Sequence, residues 1–149
     1  METSQRIAML YEKDTSATHR NLLELEKLSD AKNSLYCYFD QFISMLDSEI
    51  YGVRVRGFRL MCKQAKWDKE NKINGSIEKI LLSLDDEKPS AVAMFLQSLG
   101  HSLLPYKKEL GEKIRQVIIF LDCSRFRADT MRPLIKREIN KLTKQIDAQ

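Results

Sequence analysis

Along most of this chain apolar residues recur three and four positions apart, and the runs they form stop at short acidic or polar turns. Leu35, Tyr38, Phe39, Phe42, Ile43, Met45 and Leu46 predict an amphipathic helix over 34–46, closed by the turn Asp47-Ser48-Glu49. A second helix follows over 53–66. The spacing of Ile73, Ile77, Ile80, Leu81 and Leu84 predicts another over 71–84, with Asn74-Gly75 making its first turn poor. After Asp85-Asp86-Glu87, Pro89 falls in the first turn of a helix bearing Val92, Phe95, Leu96, Leu99 and Leu103, and Pro105 marks its stop. Leu110, Ile114, Val117, Ile118 and Leu121 define the next helix. The last runs to about Ile146, capped by Asp129 or Thr130, with Pro133 in its first turn. At the N-terminal end a short helix over 4–12 precedes one capped by Asp14 or Thr15, which runs to about Ser29 with Leu22, Leu25 and Leu28 on one side. No loop longer than about eight residues is required.

These helices fall into a repeating frame. Leu46-Asp47 matches Leu84-Asp85 and Leu121-Asp122, at separations of 38 and 37 residues, and Leu10-Tyr11 lies 36 residues upstream without the Asp. Seven residues past each Leu stands a small or β-branched residue: Ala17, Val53, Ala91 and Ala128. A period in the high thirties with two helices per unit is the signature of a helical solenoid, in which no unit buries its apolar face alone. The expectation is an all-α fold, an α-solenoid or superhelix of about four helix pairs, forming a single domain over 1–149.

Composition fits. Five Gly and three Pro in 149 residues disfavour a turn-rich β fold, and 43% apolar with 31% charged residues is ordinary for a globular domain. Cys37, Cys62 and Cys123 are an odd, widely spaced set without C-x-x-C, so neither a disulfide framework, a zinc site nor an iron–sulfur cluster is indicated. A reducing cytoplasm is the simplest home. No signal-peptide run or membrane-length apolar stretch occurs. The net charge of +4 is local: residues 1–124 hold 18 basic and 18 acidic groups, whereas 125–149 hold seven and three.

The units, with Leu-Asp before the turn and Val-Arg opening the second helix, resemble HEAT repeats, of the armadillo-like class. The second unit, Met45 to Trp67, matches best, and the stretch from Tyr51 to Asp85 is similar to short bacterial proteins of this class. The resemblance implies a right-handed superhelix in which a turn Asp and a second-helix Arg ladder between neighbours; Asp47 and Arg54 fall near those positions, with one extra residue between them. Val92 and Asp129 stand where the later units would carry the Arg. HEAT-like arrays act as curved surfaces for proteins, and a minority bind nucleic acid.

Two basic faces are the candidate contact surfaces. Arg56, Arg59, Lys63 and Lys66 fall at i, i+3, i+7 and i+10, within about a quarter turn of a helix. They suit an acidic partner or phosphates, or a solvated face balanced by acids of adjoining helices. Trp67, the only Trp, is either a binding anchor beside them or a seal between the second and third units. Arg54 lies on the opposite, apolar side, where a structural pair with Asp47 or another turn acid is expected. The other face joins Arg125, Arg127, Arg132 and Lys136 to Arg137, Lys141 and Lys144, either as a polar cap on the end of the array or as an electrostatic footprint for nucleic acid.

His19 and His101 have no nucleophile or carboxylate at motif spacing, and no phosphate loop, H-E-x-x-H or G-x-S-x-G occurs. The expected function is a non-enzymatic protein-binding scaffold without catalytic residues, metal or cofactor, its partner a protein. The alternative is a nucleic-acid binder using basic faces on the second and last units.

Overall fold

The computed structural model describes residues 1–127 and 129–149; Ala128, the fourth member of the spacing set, lies outside them. Nine α-helices follow one another among the described residues: α1 (Thr3–Ala8), α2 (Ser16–Ala31), α3 (Phe39–Met45), α4 (Tyr51–Lys63), α5 (Lys72–Gly75), α6 (Ile77–Leu82), α7 (Pro89–Ser98), α8 (Gly111–Ile118) and α9 (Met131–Asp147). No strand occurs among those residues, so the fold class is all-α.

Local chemistry sets several boundaries. Thr15 caps α2 through a reciprocal pair: the Thr18 N–H donates to Thr15 Oγ1 at 3.2 Å, and the Thr15 N–H to Thr18 Oγ1 at 2.8 Å. Pro89 opens α7, where its missing N–H costs nothing. The helix expected over 71–84 is broken at Ser76 (φ −107°, ψ 8°), directly after the poor helix formers Asn74 and Gly75. The run expected over 34–46 begins as a 3₁₀ turn, Tyr36–Tyr38, and becomes α-helical only at Phe39. After α7 the backbone widens into a π turn, Leu99–Leu103, in which the Leu104 N–H reaches the Leu99 carbonyl at 2.9 Å.

The largest departure lies before α9. Helix α8 ends at Ile118, not Leu121, and the described residues between Ile118 and Met131 form no helix. This connection exceeds the expected length because side chains hold it. Phe126 is buried, and Arg132 donates to the carbonyls of Cys123, Ser124 and Phe126. Apolar spacing does not register backbone held by a guanidinium six to nine residues along the chain.

The helices beginning the second half of each sequence unit pack in chain order: α2 on α4, α4 on α7 and α7 on α9. Helices α3 and α8 lie against α4 and α9. Phe58 and Phe95 join α4 to α7, their ring centroids 4.4 Å apart. A continuous set of buried apolar side chains runs from Ile7 to Ile146. Polar links cross between successive units at nearly constant separation: Arg54 to Asp86 and Lys79 to Asp47 join residues 32 apart, Arg59 to Glu26 and Lys63 to Asp30 residues 33 apart.

Candidate functional site

Helix α4 and the 3₁₀ turn after it carry the basic stripe, and Arg59, Lys63 and Lys66 turn toward α2. Arg59 donates from Nη2 and Nε to the two carboxylate oxygens of Glu26, at 2.6 and 3.2 Å, a bidentate pair less than a fifth exposed. Lys63 reaches Asp30 at 3.0 Å, and Lys66 the Asp30 carbonyl at 2.7 Å. The stripe therefore has its acids, supplied one unit upstream. Truncating Glu26 to Ala leaves Arg59 without its partner in a half-dry setting; the expected loss is about 1–2 kcal/mol in urea unfolding, between the exposed and fully buried limits for an ion pair.

Trp67 is half buried and donates from Nε1 to the Ser29 carbonyl at 2.7 Å, with the Lys66 ammonium 5.1 Å from its ring centroid. It thus meets the end of α2, in the first unit. Arg54 grips Asp86 with Nε and Nη2 at 2.7 and 3.1 Å and also donates to the Ser48 carbonyl. Asp47 pairs instead with Lys79, at 2.6 Å. The acid for Arg54 thus comes from the next turn along the chain.

Arg56 behaves differently. It is 3% exposed, and its Nη1 donates to the carbonyls of Leu10 and Glu12 at 2.7 and 2.8 Å, tying the first segment to α4. Its Nη2 is buried without a hydrogen-bond partner; the nearest acid, Asp14, stands 3.6 Å away. Arg56 and Arg59 line a pocket of about 340 Å³ between the N-terminal parts of α2, α4 and α7, with His19, Gly52, Ser90 and apolar walls from Leu22, Val55 and Met94.

A second pocket, about 310 Å³, opens between α7 and α9. Its polar residues are Gln97, His101, Glu138, Lys141 and Gln145. Gln145 donates to the Gly100 carbonyl at 2.7 Å, in the π turn. Glu138 is 6% exposed, with Lys141 at 3.6 Å. Glu138 was legible in the sequence: it sits three residues after Ile135 and four before Leu142, at a core-facing spacing where a carboxylate is unusual. His19 and His101 carried no such signal, because what places each beside a pocket is a neighbouring helix.

The C-terminal basic group divides in two. Arg125 donates to the carbonyls of Leu84, Asp85 and Asp86, closing the 3₁₀ turn after α6, and Arg132 braces the connection before α9. Arg127 is exposed beside Asp129. Lys136, Arg137, Lys141 and Lys144 face solvent, and among the described residues only Lys141 has an acid within 4 Å. Leu82, Ile119 and Phe120 are 73%, 53% and 81% exposed, the last beside a groove formed with Leu81 and Val117.

One buried ionic group belongs to neither face. Asp68 is fully buried and paired with Lys107 at 3.0 Å, and its carboxylate also accepts from Tyr36 and from the N–H groups of Lys72 and Ile73. With these partners in place it fixes structure; it has no open side for a ligand. The Cys62 thiol is pushed well up by burial and, secondarily, by the Glu26 carboxylate, so it is an unreactive core group. No helix is long and apolar enough to cross a membrane among the described residues. Comparison with family models, with curated proteins and with solved structures gives no match to any of them.

Proposed function

We propose that this chain is a non-enzymatic protein-binding scaffold, a short HEAT-like solenoid whose contact surface is the row of helices α2, α4, α7 and α9. The observation that carries the reading is the pair of pockets at successive junctions of that row, one between α2, α4 and α7 and one between α7 and α9. Stacked helix pairs offer a repeated groove of this kind, and side chains inserted at each junction give a partner several separate anchor points. The exposed Phe120, beside a groove walled by Leu81 and Val117, supports the same class, since exposed apolar surface at a groove marks contact sites. Nucleic acid is the weaker reading, because Arg59 and Lys63 of α4 are matched by Glu26 and Asp30, which leaves Lys136, Arg137 and Lys144 of α9 as the uncompensated cations.

The test is affinity capture from a lysate with and without nuclease, comparing the wild type with a Gln97→Glu/Lys141→Glu variant of the α7–α9 junction. The variant removes the cation beside Glu138 and sets two carboxylates in its pocket, so its thermal midpoint is expected to fall, and capture is compared at a temperature where circular dichroism shows both proteins folded. The expected result is a defined protein that survives nuclease and is retained about tenfold less by the variant. Capture that vanishes with nuclease would replace this reading by the nucleic-acid one, and a partner indifferent to every substitution along the row would remove the row as its surface.

A further inference from the structure

The pocket between α2, α4 and α7 contains a cation that the fold leaves incompletely satisfied. Arg56 spends Nη1 on two backbone carbonyls, and its side chain is 4% exposed, yet Nη2 makes no hydrogen bond. A buried guanidinium keeps its charge at any physiological pH, so the missing partner has to be an acceptor, and an anion satisfies it best. Gly52 lies one turn before Arg56; a Cβ there would stand 3.2 Å from Nη2, so the absence of a side chain leaves the guanidinium room to fold back toward the start of α4. That start adds positive potential of its own. Helices α4 and α7, 13 and 10 residues long, both begin at this pocket with no side-chain cap and no acidic residue in the first turn.

The rest of the pocket states which anion fits. Asp14 approaches Nη2 at 3.6 Å, its side chain is 73% exposed, and among the described residues it accepts no hydrogen bond. It is a loosely held occupant of the position a ligand would take. Arg59, the other cation in the pocket, is already neutralised by Glu26. One available donor group beside a resident carboxylate suits a single negative charge and opposes a phosphate dianion. Leu22, Val55 and Met94 offer an apolar wall to whatever the anion is attached to.

We infer that this pocket binds an organic carboxylate with an apolar body, its carboxylate displacing Asp14 to reach Arg56 Nη2 and its hydrocarbon lying on Leu22, Val55 and Met94. The same chemistry is met in a free aliphatic acid and in the C-terminal carboxylate of a partner ending in an apolar residue. The inference rests on the second-helix row being a binding surface and names the group recognised there.

Titration calorimetry on the full chain tests it, with hexanoate, acetate, inorganic phosphate, hexanamide, and a short peptide ending in Leu as free acid and as amide. Hexanoate or the free-acid peptide is expected to bind at least about tenfold more tightly than acetate, phosphate or the matching amide. Preference for the peptide identifies a partner's C-terminus as the source, and preference for hexanoate a small acid; either upholds the site. Since Arg56 also anchors the first segment, the informative variants are Ser90→Glu, which sets a carboxylate at the pocket and is expected to weaken binding about tenfold, and Asp14→Asn, which removes the competitor and is expected to strengthen it severalfold. No binding of any carboxylate, or tightest binding of phosphate, overturns the proposal. So does an Asp14→Asn variant that binds no better and melts lower, because Asp14 would then be the native partner of Arg56. A protein captured through the α7–α9 junction while no carboxylate binds defeats this inference alone; failure of both defeats the row.

Discussion

Replacing Asp68 with Ala is expected to cost about 3–5 kcal/mol, the largest loss available from any single polar side chain here. The carboxylate is fully buried and lies 3.0 Å from the Lys107 ammonium, which is itself only 5% exposed. It accepts the N–H groups of Lys72 and Ile73, both at 2.9 Å, and so caps α5. The Tyr36 hydroxyl donates to it at 2.6 Å. Removing it strands a buried ammonium, two backbone donors and a phenol together. Lys107 keeps only the Asp68 carbonyl and Asn71 Oδ1 as acceptors, neither of them charged. Urea unfolding followed by far-UV circular dichroism measures the loss, and Tyr36→Phe should cost about 1 kcal/mol, since it removes one hydrogen bond and leaves the charge paired.

The same group sets an acid limit. Burial pushes the Asp68 carboxyl up, but the hydrogen bonds from Tyr36, the Ile73 N–H, Lys107 and the Lys72 N–H outweigh it and hold the group below the ordinary carboxylate value. A folded-state value below the unfolded one means the native state binds the proton less readily. Its contribution is therefore complete above about pH 4 and is lost as the pH falls through the folded value. Asp68→Asn should flatten that part of the stability profile; a variant with the wild-type acid dependence would place the limit elsewhere. Tyr36 moves in the opposite sense, its hydroxyl pushed up by burial and then by its bond to Asp68, so it remains a donor across the usable range.

Gly57→Ala is expected to cost about 3 kcal/mol, at the upper end for a single added methyl group. A Cβ on Gly57 would stand 2.6 Å from Met45 Cβ and 2.9 Å from the Phe42 carbonyl oxygen. Neither atom is the end of a flexible side chain. One belongs to the backbone of α3 and the other is fixed to it, so relief requires the two helices to separate. That separation opens the packing around Phe42, Met45 and Phe58, all fully or almost fully buried. Thermal unfolding of Gly57→Ala beside Gly75→Ala makes the comparison internal: a Cβ at Gly75 would meet nothing within 4 Å, and that substitution should leave the midpoint unchanged or raise it. Equal behaviour of the two variants would show that α3 can yield.

The stripe on α4 explains how a contact surface can be misjudged from a single helix. Four cations within a quarter turn say that something negative faces them, and a sequence window contains no account of what lies opposite. Glu26 and Asp30 are 33 residues before Arg59 and Lys63, on a helix whose register against α4 is set by packing. Of the four, Arg56 alone has a buried donor without a partner and is also the most buried, and a pattern at i, i+3, i+7 and i+10 does not set it apart from the other three.

The sequence by itself determined the all-α class, the order of the helices and most of the core, and it narrowed the cap of α2 to Asp14 or Thr15, of which the structure takes Thr15. These follow from contacts three or four residues apart and from caps and turns, whose energetics are complete within one turn of chain. Tertiary structure alone decided that Arg54 closes on Asp86 while Asp47 takes Lys79, that α8 stops at Ile118, and that Asp68 and Lys107 meet in the interior. It alone decided which pockets exist, since each is bounded by two or three helices. The physical reason is that pairing of distant charges depends on the relative rotation of packed helices. That rotation is fixed by the interlocking of many buried side chains, at positions such as Gly57 against Met45, and by no short stretch of sequence.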